Sequence, residues 1–314
     1  LVKFAKKTVL FPPRLSKHAE IAVVAPSGHV NRHALQRGVK ILRLCHYKIE
    51  LLPHVFEKEG IFAGSDEQRL SDLQTALNSP KYQAIVCARG GYGLTRILDK
   101  LSFEGFLKHP KWVAGFSDIT PLLLAINKLG CASIHSQMLS MPEGNDGFGI
   151  QQLHLSLKNA AFDKLIAPFL PQNILGKAEG ELIGGNLSLI CNSLGTQYEP
   201  DTKGKILFFE DLGEHHYHID RMMVQLDRAG KFKDLAAAVV GKFGKMKDKP
   251  EDFGKQTLEE IVLPTLSKYG YPVAFGMPFG HIPENRPLIL GATAQLLVNE
   301  KQSVLKLLDK NIAL

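Results

Sequence analysis

The segment Gly115-Phe116-Ser117-Asp118-Ile119 puts a serine where an apolar run, Trp112-Val113-Ala114, gives way to a helical pattern starting at Pro121. A hydroxyl at such a strand-to-helix turn stands at the edge of a sheet. The N–H groups of the following turn can face developing negative charge. Ser117 is therefore a candidate nucleophile. The segment lacks the last glycine of the G-x-S-x-G elbow, so a helix-capping serine is the plain alternative.

A glycine cluster, Arg89-Gly90-Gly91-Tyr92-Gly93, follows the continuous apolar run Ala84 to Ala88. Glycines let backbone N–H groups approach a ligand closely. No Gly-Lys-Ser/Thr follows, and G-G-x-G is not a dinucleotide fingerprint. An oxyanion-binding loop and a simple tight turn both remain. Arg89 has two readings as well. Its guanidinium can hold a carboxylate through two parallel hydrogen bonds, or it can close a structural ion pair at the strand end.

Glu210-Asp211 ends another apolar run, and Glu214, His215, His216 and His218 follow closely. Their spacing fits no zinc pattern. Glu210 reads better as a buried acid that orients a histidine, and the three histidines as the opening of a helix. His281 lies in Gly276-Met277-Pro278-Phe279-Gly280-His281-Ile282-Pro283-Glu284-Asn285, a loop whose glycines and prolines fix its shape. A surface histidine is the alternative there. The order Ser117, Glu210, His281 suits a hydrolytic triad, although order alone does not establish one.

Elements that would position these residues are visible in the pattern. Glu20 to Ala25 is a short apolar strand ended by Pro26-Ser27-Gly28, and Asn31 can cap a helix with Leu35, Val39 and Leu42 on its buried face. A second helix carries Leu70, Leu73 and Leu77; Thr120 can cap the helix that Pro121 opens. Alternating strands and helices predict a parallel sheet with functional loops at the strands' C-terminal ends. The predicted organisation is an N-terminal α/β domain over 1–145, a linker over 146–178 and a C-terminal mixed β/α domain over 179–314. In the last of these, Lys205 to Phe209, Leu235 to Val240, Pro272 to Gly276 and Ala294 to Val298 read as strands. A helix there buries Ile219, Met222, Met223 and Leu226, and a second covers about 255 to 269.

Composition is that of an ordinary globular chain, with 45% hydrophobic and 22% charged residues among 314. The net charge of +7 is spread thinly, and its densest stretch, Lys242, Lys245, Lys247 and Lys249, reads as a solvated loop. No nucleic-acid recognition pattern accompanies it. No apolar run reaches the roughly 18 residues of a membrane helix. Cys45, Cys87, Cys131 and Cys191 are far apart and set among apolar residues, as expected of reduced thiols. The opening Leu1 to Lys7 is too short for a signal peptide, and a start at Leu leaves a removed leader open.

These residues sit in seven stretches that together resemble the LD-carboxypeptidase family of serine peptidases, also called muramoyltetrapeptide carboxypeptidases. They are IAVVAPSG from Ile21, FAGSDEQR from Phe62, CARGGYGLTRILD from Cys87, GFSDIT from Gly115, GELIGGNLSLICNSLGT from Gly180, KILFFEDLGEHHYHIDR from Lys205 and FGMPFGHIPEN from Phe275. The resemblance implies Ser117 as nucleophile, Glu210 as acid and His281 as general base. It implies an oxyanion hole from the backbone N–H groups of Gly91 and Asp118, and substrate contacts from Arg89, Tyr92 and Asn186. The implied N-terminal layout is that of class I glutamine amidotransferases, with the site between two domains, no metal or organic cofactor and a homodimer; the expected location is the cytoplasm. The implied substrate is a murein tetrapeptide, which loses its terminal D-Ala. Two other readings stay open. One is a self-immunity peptidase resembling the microcin C resistance enzymes, which cleave amides to nucleotide-like groups. The other is a non-catalytic muropeptide-binding protein. One departure stands out: the family usually has His-Gly-Pro where this chain has Ile134-His135-Ser136-Gln137-Met138.

Overall fold

A computed structural model of the chain describes residues 9–140, 144–158 and 164–309. The opening Leu1 to Lys7 and the start of the loop at Pro142 and Glu143 lie outside them. The first part runs β1 (Glu20–Val24), α1 (Arg32–Leu44), β2 (Lys48–Leu51), α2 (Asp66–Asn78), β3 (Ala84–Cys87), α3 (Glu104–Lys108), β4 (Trp112–Gly115), α4 (Thr120–Lys128) and β5 (Ser133–His135). The rest runs α5 (Phe148–Leu157), β6 (Lys164–Pro168), β7 (Gly176–Asn186), α6 (Leu187–Asn192), β8 (Ile206–Leu212), α7 (His216–Arg228), β9 (Ala237–Gly244), α8 (Leu258–Leu266), β10 (Val273–Ala274), β11 (Leu288–Leu290), β12 (Thr293–Val298) and β13 (Gln302–Leu307).

Two sheets organise the α/β chain. The first has the order β11-β5-β4-β3-β1-β2. Its strands from β2 to β5 are parallel, as the β/α alternation requires. β11 returns from the C-terminal part and pairs antiparallel with β5, Leu288 opposite His135. The second sheet is mixed, with the order β10-β9-β8-β7-β12-β13-β6. Its strands β7 to β10 are parallel, and β12, β13 and β6 are antiparallel. β3 and β4 are buried along their whole length, which is why they read as unbroken apolar runs.

Helix signals hold locally. Asn31 Oδ1 accepts the Ala34 N–H at 2.9 Å, and Leu35, Val39 and Leu42 are buried. Ser65 and Gln68 form a capping box on α2. Thr120 departs from expectation. It is the first residue of α4 with Ile119 before it, and its hydroxyl accepts the N–H of Asn186 at 3.0 Å. The side chain meant to cap a helix instead joins the first sheet's helix to the end of β7. The stretch 146–178, read as a linker, contains regular structure: α5 packs on α1, and β6 pairs with β13 at the edge of the second sheet. Between the sheets, α4 rests on β7 and α6, and β11 touches β7. The strand ends of both domains thereby converge on one cleft. No helix among the described residues is long and apolar enough to cross a membrane.

Candidate active site

β4 ends at Gly115, Phe116 stays extended, and Ser117 turns into the left-handed region with φ +59° before a short helical turn leads into α4. An L-residue with a Cβ pays about 1–2 kcal/mol for that conformation. The neighbouring loop after β3 closes over it. A side chain at Gly90 would meet Ser117 Cβ at 3.1 Å and Oγ at 3.3 Å. Only the bare backbone of Gly90 lets this loop lie so near the hydroxyl. Ser117, Arg89, Gly91, Asn186, Asp211 and His281 line one cavity of about 440 Å³.

The second domain supplies a hydrogen-bonded pair. The Nδ1 of His281 lies 2.6 Å from Oε2 of Glu210, whose side chain is wholly buried. With Nδ1 donating to the carboxylate, Nε2 is left as an acceptor. Glu210 sits on β8 at a break in register between Phe209 and Asp211, where the strand continues past the point expected to be its end. The His281 loop is tied back to β9 by Lys242 N–H to Phe279 O at 3.0 Å and Met277 N–H to Val240 O at 3.1 Å. Within the loop, Gly280 donates to Asn285 Oδ1 at 2.9 Å. Gly280 has φ +112°, and a Cβ there would meet Lys242 O at 2.8 Å and Glu210 Oε2 at 3.0 Å. Among the described residues no hydrogen bond joins Ser117 to His281. Both line the same cavity.

Three further carboxylates lie close to this chemistry: Asp118 after the serine, and Asp211 and Glu214 on the cavity wall. Asp118 is buried, and its Oδ2 accepts the Leu94 N–H at 3.0 Å. Burial raises its pKa. Asp211 accepts hydrogen bonds from Asn186 Nδ2 at 2.8 Å and from the N–H groups of Ser188 and Leu212 at 2.9 and 2.8 Å. Burial first, then the adjacent charge of Glu210, pushes its carboxyl up to about 6 against these bonds. Asp211 lines the cavity beside Gln137, from the Ile134 to Met138 stretch expected to border the site, and Ser188; Asp211 and Ser188 did not stand out from the sequence as site residues. The adjacent carboxylates at a strand end were the available signal for Asp211.

The residues read as substrate contacts fall in different places. Arg89 is exposed on the cavity wall, with Nη1 donating to His29 O at 2.6 Å; among the described residues no carboxylate pairs with it. Asn186 lines the cavity, yet its amide is bonded to Asp211, Ser188 and Leu189 within the protein. Tyr92 is outside the lining, its exposed ring 5.8 Å from that of Phe62. The histidines after Glu210 turn to two carboxylates other than Glu210, Asp248 and Glu214. His216 and His215 meet Asp248 at 2.6 and 3.4 Å, and His218 meets Glu214 at 2.8 Å. Among the described residues no group of three or more His, Cys, Asp or Glu side chains is placed to hold a metal ion.

A two-domain α/β fold that sets a strained serine and a carboxylate-bound histidine around one cleft has the arrangement of a hydrolase. Comparison with known proteins agrees. Family models described as the LD-carboxypeptidase N-terminal and C-terminal domains match residues 21–136 and 179–296. The chain is 33% identical over 307 residues to the probable murein peptide carboxypeptidase of Bacillus subtilis, covering 94% of each. It is 32% identical over 295 residues to the murein tetrapeptide carboxypeptidase of Pseudomonas aeruginosa, covering 88% of this chain and 92% of that one. The crystal structure of muramoyltetrapeptide carboxypeptidase from Oxalobacter formigenes superposes with a TM-score of 0.82 at 30% identity, over 93% of this chain and 99% of that one. A microcin self-immunity protein has a TM-score of 0.83 at 20% identity, over 95% and 98% of the two chains, and so shares the fold. This chain belongs to the LD-carboxypeptidase family.

Proposed function

We propose that the protein is a serine LD-carboxypeptidase that releases terminal D-Ala from a murein tetrapeptide. The observation that carries this reading is the 2.6 Å pair of Glu210 and His281 facing the cavity that Ser117 enters from the other domain. His281 Nε2 takes the proton of Ser117 as the hydroxyl oxygen attacks the carbonyl joining the L-centre of the diamino acid to D-Ala. Glu210 holds the imidazole in the required tautomer and stabilises it while charged. The N–H groups of Gly91 and Asp118 receive the oxyanion. His281 then protonates the leaving amine of D-Ala, and a water deprotonated by His281 releases the tripeptide from Ser117. Arg89 receives the terminal carboxylate with the guanidinium donors that His29 does not use. Asn186 is read as a substrate-side residue on the cavity wall, and Tyr92 as one on the outer rim.

The resemblance extends the reading to an N-terminal layout like that of class I glutamine amidotransferases, a domain boundary within 146–178, no metal or organic cofactor, and a homodimer in the cytoplasm. Light scattering on the purified protein tests the dimer. The enzymatic test is incubation with murein tetrapeptide and chromatographic detection of tripeptide and D-Ala. Cleavage of an aminoacyl-sulfamoyl adenylate in place of the muropeptide would assign the chain to the self-immunity reading. Muropeptide binding without cleavage or phosphonate labelling of Ser117 would make it a binding protein. Exopeptidase selectivity has its own check: wild type should cleave the free acid well and the terminal amide poorly. Arg89→Lys should lose activity on the acid while changing little on the amide. Equal losses on both would return Arg89 to a structural role.

A further inference from the structure

His135 is completely buried at the end of β5, behind the proposed triad, and neither ring nitrogen has a partner among the described residues. Three aromatic rings meet it nearly edge-on: Phe116 at 5.7 Å, Phe208 at 5.4 Å and Phe279 at 6.2 Å between centroids. Each belongs to a triad-bearing segment. Phe116 immediately precedes Ser117, Phe208 lies two residues before Glu210, and Phe279 lies two before His281. Phe116 also touches the His281 ring, with centroids 4.7 Å apart. One imidazole is thus the common surface on which all three segments pack.

Two further buried atoms are unpartnered among the described residues: Oε1 of Glu210, whose charge acts on His135, and Nδ2 of Asn285. The other atom of each group is in use, Oε2 on His281 and Oδ1 on Gly280. Gly280 joins the two, since a Cβ there would stand 3.0 Å from Glu210 Oε2. Buried polar atoms are rarely left without partners, and where no protein group serves, an enclosed water commonly does. Apolar filling alone would call for phenylalanine at 135. A histidine that burial holds down to about 4 stays neutral, with one N–H to donate and one nitrogen to accept.

We infer that His135 is a positioning residue whose ring N–H, through one enclosed water shared with Asn285 Nδ2, gives Glu210 Oε1 its second hydrogen bond and fixes the carboxylate that orients His281. The inference rests on the proposed triad. The water would complete the two-sided hydrogen bonding of an ionised carboxylate in a site walled by aromatic rings. The role is separate from substrate contact, because no surface of His135 reaches the cavity.

The test compares His135→Phe, which keeps a ring and removes the donor, with His135→Gln, whose amide can reach the same water. His135→Phe should keep its melting temperature within a few degrees. It should lose kcat by roughly ten- to hundredfold, the factor carried by one hydrogen bond to a charged group, with KM nearly unchanged. His135→Gln should recover most of that loss. Wild-type kcat in folded His135→Phe, or a Gln variant no better than Phe, would overturn the inference. A crystal structure of the wild-type protein decides the matter even if His135→Phe does not fold. A water within hydrogen-bond distance of both Glu210 Oε1 and a His135 nitrogen is expected, and a dry contact overturns it. Wild-type turnover in Ser117→Ala would instead defeat the triad reading, which the water measurement does not depend on.

Discussion

Ser117 and the Glu210–His281 pair reach one cavity by opposite means. Ser117 is held by its backbone: a left-handed φ at the end of a buried parallel strand aims a small side chain, which makes no hydrogen bond with His281. Glu210 and His281 are held by their side chains, a 2.6 Å bond sealed between β8 and a loop pinned to β9. The first device costs strain and tolerates truncation of the side chain. The second draws its precision from burial and fails when a partner is removed or the loop moves. Chemistry at the two places should therefore be separable from stability at Ser117 and entangled with it around Glu210.

The largest expected effect tests the backbone-held side. Ser117→Ala should lower kcat by roughly a millionfold, since no other group replaces the proposed nucleophile, and should unfold at the wild-type temperature. Glu210→Gln should cost less, roughly ten-thousandfold, because the proposed nucleophile and base remain and only the tautomer and the imidazolium lose support. Turnover of the murein tetrapeptide with each folded variant checks both. A Gln variant within tenfold of wild type would mean that the hydrogen-bonded pair is structural.

Gly280→Ala should break the side-chain-held half without touching any reacting atom. The new Cβ would press on Lys242 O and on Glu210, in a backbone conformation that disfavours an L-residue. Strain and overpacking together predict about 3 kcal/mol of lost stability. A loss of kcat should accompany it, because His281 is the next residue. Urea unfolding together with kinetics reads both. An alanine variant that is destabilised yet fully active would show that the loop position does not set the His281 geometry.

How much of this contrast can be read from the sequence follows from the same physics. Ser117, Glu210 and His281 each follow a strand-like run, and strand ends are where local pattern is strongest. Contacts that depend on the second domain's placement leave no local mark. Leu288 to Leu290 form a strand too short to show alternation, yet they cross over to close the first sheet beside β5. The Thr120 hydroxyl has the right chemistry for a cap, and docking against Asn186 takes it away. β6 alternates buried and exposed residues over Lys164–Pro168, but its proline and short length disguised it as part of a linker. His135 was visible only as part of a departure from a family pattern. Its aromatic surroundings come from segments far apart in the chain.

Acid should weaken the side-chain-held half specifically. His135 faces Glu210 on β8 and His281 on the loop before β11, and burial outweighs the help of the Glu210 charge, holding its pKa at about 4 against 6.5 unfolded. Between those values the unfolded chain binds a proton that the folded one refuses. Its contribution is therefore intact above about pH 6.5 and lost as pH falls through 4. The shift corresponds to about 3 kcal/mol. Urea unfolding at pH 7 and pH 4 should show a drop in wild type that is smaller by that amount in His135→Phe. Identical drops would mean that His135 takes up its proton in the fold without penalty.

The smallest effect isolates the strain itself. Ser117→Ala keeps a Cβ at φ +59°, so it keeps the strain and loses only the hydroxyl. Ser117→Gly removes both. Relief of a left-handed L-residue is worth about 1–2 kcal/mol, and the extra freedom of glycine in the unfolded chain takes back roughly 0.5–1 kcal/mol. A net gain of about 0.5–1 kcal/mol is expected for Gly over Ala, read as a higher urea midpoint with an unchanged slope. Both variants should be equally inactive, so the difference cannot come from chemistry. A glycine variant no more stable than alanine would mean that the corner after β4 accommodates its serine without strain. The contrast between a backbone-held serine and a side-chain-held histidine would then lose its energetic half.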